Sequence, residues 1–243
     1  MEKFIGEAPL ILVMVLLVVG FVLLIKGADF FVEGSSSVAK RFNVPSIIIG
    51  LTIVAMGTSL PETSVSVTAS ISGNNTLAVS NVVGSNIFNL MVVIGVCAIM
   101  TPVMVARETI TTDIPFSAFC AVILAVLGIW GFMDDSSMIL GRFDGIVFLI
   151  LFAVYIVVLI RRTLKARKEG KEVEVEGGSD EDIHIISIPK SIIFIIGGGA
   201  AIAFGGDLTV QTASRISIDF GMSQTLVGLT IVALGTSLPE LVT

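Results

Sequence analysis

The chain has 243 residues, of which 54% are apolar and only 14% charged, and its mean hydropathy is +1.02. Soluble chains run near 45–50% apolar and about 25% charged, so one domain of this length cannot bury all this apolar surface, and lipid must cover part of it. Disorder, a disulfide-rich secreted fold and nucleic-acid binding are excluded; the net charge of −6 is largely local, since seven of the 20 acidic residues fall between Glu169 and Asp182.

Seven stretches are long enough to cross a bilayer, which takes about 20 helical residues. They lie near 8–33, 45–71, 77–100, 114–133, 143–162, 189–212 and 223–243. The apolar run from Pro9 to Ile25 is too long for a signal-peptide core and no A-x-A site follows it, so it reads as a mature helix. Lys40 and Arg41 follow the first span, Arg107 the third, and Arg161, Arg162, Lys165, Arg167, Lys168 and Lys171 the fifth. If the spans alternate, these residues share one side, which the positive-inside rule makes cytoplasmic. The N-terminus and the Asn74–Asn75 loop are then outside. Residues 163–188, basic first and acidic second, read as a solvated linker. Cys97 and Cys120 lie in apolar runs and read as packing residues. His184, the only histidine, reads as an unremarkable exposed side chain.

The chain contains an internal repeat. Residues 50–63 read GLTIVAMGTSLPET and residues 228–241 read GLTIVALGTSLPEL, with twelve of fourteen positions identical at an offset of 178. The register continues upstream: Gly27 pairs with Gly205, Asp29 with Asp207, Val32 with Val210, Ser36 with Ser214 and Phe42 with Phe220. This is a duplication. Five spans precede the second copy, and an odd number inverts it. Inverted repeats characterise secondary transporters, whose sites lie near the midplane between the repeats. The first copy has five spans and the second only two, which reads as a C-terminal truncation of a ten-span protein, with roughly 80 residues to follow if the copies match.

GTSLPE falls in the middle of its span in both copies, which places the carboxylates of Glu62 and Glu240 near the bilayer centre. A charge there costs at least ~2.5–3.5 kcal/mol, so two at equivalent positions argue for a purpose. Pro61 and Pro239 are expected to free the carbonyls of Ala55 to Gly57 and of Ala233 to Gly235, because proline donates no hydrogen bond and clashes four residues back. Thr58, Ser59, Thr236 and Ser237 add hydroxyls. In span three, Asn81, Ser85 and Asn89 share one helix face, and Gly84 beside them permits close approach. Carboxylates, hydroxyls, amide oxygens and carbonyls together suit hard cations. Two carboxylates balance one Ca²⁺ or two monovalent ions. Gly197, Ala201 and Gly205, spaced by four, read as a packing stripe on span six.

GTSLPE followed by GSNIFN, with GTSLPE repeated in a second half, resembles the sodium/calcium exchangers of the cation/calcium antiporter superfamily. The resemblance implies an all-α integral membrane fold with inverted 5+5 topology, about seven helices being present. Residues 1–162 would form the first repeat, with its alpha-1 motif at 50–89; 163–188 the linker; and 189–243 the start of the second repeat, with its alpha-2 motif at 228–240. The implied cation ligands are the Ala55 carbonyl, Thr58, Ser59, Glu62, Ser85 and Asn89, then the Ala233 carbonyl, Thr236, Ser237 and Glu240. Counterparts of Ser85 and Asn89 would fall beyond Thr243. The implied activity is antiport of Na⁺ for Ca²⁺ by alternating access, with the first and sixth helices sliding. The transported ions are substrates, and no cofactor is implied. The expected partner is the lipid bilayer, not nucleic acid, and the full-length protein is expected to work as a monomer in a prokaryotic plasma membrane, since the linker is too short for a calcium-sensor domain. A cation/proton antiporter on the same fold is the alternative, and a passive cation channel a more distant one. No intramembrane enzyme motif is recognisable.

Overall fold

The computed structural model describes residues 2–105, 107, 109–135, 140–168 and 183–242. The acidic half of the linker, 169–182, therefore lies outside the described residues. Helices and short connections account for the chain, with no strand among the described residues. Residues 1–100 and 174–243 form one compact unit, and 101–173 form a second.

In the first unit, α1 (Glu2–Glu7) precedes the long α2 (Leu10–Arg41). A bent pair follows, α3 (Ser46–Thr58) and α4 (Leu60–Ile71), with 53° between them. Next come α5 (Asn75–Met100), then, after the second unit, α8 (Ile188–Asp219), α9 (Gln224–Thr236) and α10 (Leu238–Val242). The second unit contains α6 (Ile114–Asp135) and α7 (Arg142–Lys168), whose Phe116 and Tyr155 rings stack 5.0 Å apart. Neither has a buried residue in its most apolar stretch, as expected for helices bordered by lipid. Five described helices are long and apolar enough to span a membrane, and the bent pair makes a sixth. The expected seventh span is α9 and α10, interrupted at Ser237. Cys97 is exposed on the surface of α5 and Cys120 is half-buried, so only the second fits its expected packing role.

Helix α2 was expected to end near residue 33 and α8 near 212, but each is 32 residues long and runs on to Arg41 and Asp219. The serines do not stop α2 because they are used. Ser36 and Ser37 are buried. The Ser37 hydroxyl accepts from the Ile186 N–H at 3.0 Å and from the Ser191 hydroxyl at 3.2 Å.

The core of this unit is the crossing of α2 with α8. A Cβ on Gly27 would lie 2.9 Å from the Gly198 carbonyl, one on Gly34 2.8 Å from the Ser191 carbonyl, and one on Gly205 2.9 Å from the Gly20 carbonyl. Positions rise along one helix as they fall along the other, so the first helices of the two repeats run antiparallel. That is the inverted topology seen directly. The contacts recur every seven residues, the spacing that keeps one seam facing a partner helix. This corrects the four-residue stripe at one position: Ala201 and Gly205 do pack against α2, Ala201 Cβ lying 3.0 Å from where a Gly27 Cβ would be, but Gly197 is exposed with nothing within 4 Å, and Ser191 and Gly198 take part in its place. On its outer face α2 exposes Ile11, Val15, Val18 and Val22.

Candidate functional site

Both copies of GLTIV form a π turn, at Gly50–Val54 and Gly228–Val232. The threonines accompany this distortion. Thr52 donates to the Ile48 carbonyl at 2.6 Å and Thr230 to the Leu226 carbonyl at 2.5 Å, a back-bond that loosens a helix. After one further α turn the helix breaks at Ser59 (φ −88°, ψ 7°) and at Ser237 (φ −92°, ψ 12°). A new helix starts at the next residue. Pro61 and Pro239 thus occupy the second position of α4 and α10, where no intrahelical donor is needed. They start helices rather than distort them.

The break does not free every expected carbonyl. That of Ala233 accepts from the Ser237 N–H at 3.1 Å and the Thr236 hydroxyl at 3.2 Å, which fills both its lone pairs. The Ala55 carbonyl accepts a weak 3.4 Å contact from the Thr58 hydroxyl, and the Ser59 N–H turns to the Gly57 carbonyl instead of to Ala55.

Helix α5 packs tightly on the second copy. A Cβ on Gly84 would meet that of Ala233 at 2.7 Å, and one on Gly228 would meet Ser80 at 2.7 Å. Gly84 is therefore needed for close approach, as its sequence context suggested. This brings the Ser85 hydroxyl to 3.5 Å from the Thr236 hydroxyl. Ser237, from the second copy, donates to Glu62 Oε1, from the first, at 2.8 Å.

Asn81 is the residue whose part the sequence understated. It is fully buried. Its amide donates to the Glu62 carbonyl at 3.2 Å and to Ser66 at 3.0 Å, and its Oδ1 lies 3.5 Å from the Thr236 hydroxyl, whose one hydrogen also has the nearer Ala233 carbonyl as acceptor. It joins α4, α5 and α9 at one point, as its place on the Ser85 face would permit. Thr52 and Thr230 were also missed, although their shared place in GLTIV is visible.

Glu62, Ser85, Thr236 and Ser237 thus come together, all buried. Glu240 and Asn89 border them less completely buried; α10 packs against the π turn Asn89–Val93. Ala55 and Ser59 are exposed, and Thr58 is half-buried facing a cavity beside α2. Three buried acceptor oxygens, Glu62 Oε2, Glu240 Oε2 and Asn89 Oδ1, have no hydrogen-bond partner among the described residues. Buried polar atoms are seldom left so, and three oxygens of this kind suit a hard cation.

Residues 12–161 and 190–243 match the family described as sodium/calcium exchanger protein. A putative antiporter, CaxA of Alkalimonas amylolytica, is 38% identical over 232 residues, covering 93% of this chain and 68% of that protein. The sodium/calcium exchanger MaX1 of Methanosarcina acetivorans is 29% identical over 260 residues, covering 93% and 72% respectively. A solved structure of the sodium-calcium exchanger NCX_Mj, 33% identical, superposes with a TM-score of 0.52 over 96% of this chain and 71% of that one. With two convergent GTSLPE copies, antiparallel first helices and these likenesses, the chain belongs to the sodium/calcium exchanger protein family.

Proposed function

We propose that the protein is a secondary active antiporter that exchanges Na⁺ for Ca²⁺ at an oxygen-lined site near the bilayer midplane. The observation that carries this reading is the 2.8 Å bond from Ser237 to Glu62, which joins the two repeats beside acceptor oxygens with no protein partner. Ca²⁺ takes six to eight oxygens at ~2.3–2.6 Å with flexible geometry, a demand that this mixture of carboxylate, hydroxyl and amide oxygens suits. The ligands are those the repeats imply: Glu62, Glu240, Thr58, Ser59, Thr236, Ser237, Ser85, Asn89 and the carbonyls of Ala55 and Ala233. The Ala233 carbonyl must exchange a hydrogen bond for the ion. Two carboxylates accept either one Ca²⁺ or two Na⁺, so the ions compete for one place.

Alternating access needs a part that moves. The α2–α8 seam holds the two helices backbone to backbone and ties them by the Ser191–Ser37 bond and the Phe30–Phe194 ring contact, so that they can slide together, as one unit, against the rest of the fold. The basic residues favour an orientation with residues 163–188 cytoplasmic and the N-terminus outside. In vesicles holding the protein, an outward Na⁺ gradient is expected to drive Ca²⁺ uptake. Uptake that follows only a proton gradient would refute Na⁺ coupling.

A further inference from the structure

A cavity of about 440 Å³ lies between α2, the bent pair α3–α4 and the segment that leads into α8. Its inner end is Thr58 and Pro61, at the proposed cation site, and its outer wall includes His184. That wall is fixed: the Ile186 carbonyl accepts from Arg41 at 2.7 Å and its N–H donates to Ser37 at 3.0 Å. Along α2 the cavity is lined by Asp29, Glu33 and Ser36. These positions are spaced by four and three, so they form one stripe with neighbouring Cβ atoms about 5–6 Å apart.

Two features distinguish this stripe from a solvated acidic face. Ser36 is 95% buried by its 5% exposure, and its hydroxyl has no hydrogen-bond partner among the described residues. Glu33 is half-buried, with no ion pair or hydrogen bond among the described residues, whereas Asp29 pairs with Lys26 at 2.9 Å. The inverted repeat supplies an internal comparison. The counterparts of Asp29, Glu33 and Ser36, 178 residues on, are Asp207, Gln211 and Ser214. There the glutamate is an amide, and it donates to both oxygens of Asp207 at 2.8 Å. Ser214 accepts from Asn74 at 3.1 Å. In the second copy the Asp207 carboxylate and the Ser214 hydroxyl both find protein donors, and Gln211 Oε1 alone is left without a partner among the described residues; the first copy leaves a carboxylate and a hydroxyl facing a cavity.

We infer that Asp29, Glu33 and Ser36 form a second, weaker cation site, which holds a partly hydrated Ca²⁺ in the cavity before it reaches Thr58 and Glu62. This deepens the proposed exchange reading and rests on it. A carboxylate in a cleft with low-dielectric walls raises the local cation concentration, and the ion keeps several waters because the protein offers few ligands here. Glu33 supplies the charge not already committed to a protein cation.

The test is equilibrium binding of radioactive Ca²⁺ to the whole chain in detergent. Wild-type protein is expected to show a tight and a weak saturable component. Glu33→Gln should lose the weak one and keep the tight one, which also reports correct folding, and Ser36→Ala should weaken the same component. Glu62→Gln should do the reverse. An unchanged weak component in Glu33→Gln overturns the second site, and so does loss of both components in Glu33→Gln with Ser36→Ala unaltered. Retention of the tight component in Glu62→Gln instead overturns the proposed central site, so the two failures are distinguishable.

Discussion

Replacing Glu62 by Gln removes one charge while keeping the volume and one acceptor oxygen. Ser237, now 2.8 Å from Oε1, can still donate to the amide oxygen, so the link between the repeats survives. The cation should feel the change far more than the fold does. At an effective dielectric of about 20, unit charges 4 Å apart interact by ~4 kcal/mol, and a divalent ion doubles this. Even half of that ~8 kcal/mol would weaken Ca²⁺ binding about 10³-fold, at 1.4 kcal/mol per tenfold. Ca²⁺ at 100 times its dissociation constant stabilises the folded protein by ~2.7 kcal/mol, a rise of about 5–10 °C in melting temperature for a chain of this size. After a 10³-fold loss the same concentration gives under ~0.1 kcal/mol. Without cation, Glu62→Gln should melt at the wild-type temperature or above, because a carboxylate only 9% exposed, with one oxygen unpartnered, costs energy in the empty protein. The assay is thermal unfolding in detergent with and without Ca²⁺. A wild-type Ca²⁺-dependent shift in Glu62→Gln would show that Glu62 does not bind the ion.

Gly198→Ala and Gly197→Ala should differ sharply although the residues are neighbours. A Cβ on Gly198 would lie 2.6 Å from the Gly27 carbonyl and 2.7 Å from the Phe31 nitrogen, both backbone, which predicts a loss of about 1–3 kcal/mol or more. Gly197 has nothing within 4 Å, and its substitution should be neutral or slightly stabilising in the same melting assay. Equal effects would refute the seven-residue seam. A cysteine at exposed position 75, in a background lacking Cys97 and Cys120, should react with an impermeant thiol reagent added from outside the cell. Labelling only from the cytoplasm would reverse the proposed orientation.

The sequence displayed the architecture because the duplication is explicit: a 178-residue offset aligns α2 with α8 residue for residue, and both run 32 residues. It misplaced the helix ends because a serine run is read as polar, whereas Ser36 and Ser37 lie against another helix where polarity is concealed. The seam was misread for a similar reason. Gly197 and Gly198 are adjacent and chemically identical, and only the antiparallel partner decides which one faces it. Proline marked the helix break correctly but not its cause, since the break precedes Pro61 by two residues and the looseness begins at the Thr52 back-bond. Asn81 was legible as one of three polar residues on a face; that it reaches three helices is a property of packing, which no single segment carries.

Nearly identical segments also occupy unlike surroundings, and this bears on how such a site works. Ala233 and Ser237 are buried while their counterparts Ala55 and Ser59 are exposed, although the backbone breaks at the same angle to within a few degrees. Local sequence therefore sets the π turn, the break and the restarted helix in both copies, and the neighbour sets the rest. For the second copy that neighbour is α5, through Gly84 and Ser80. The carbonyl of Ala233 accepts bonds at 3.1 and 3.2 Å and that of Ala55 a weak one at 3.4 Å, so in the proposed site the two would be unequal ligands despite being equivalent in sequence. An ion that binds through both must pull the Ala233 carbonyl from its partners, and the energy this requires is a means by which one repeat can hold a cation less tightly than the other.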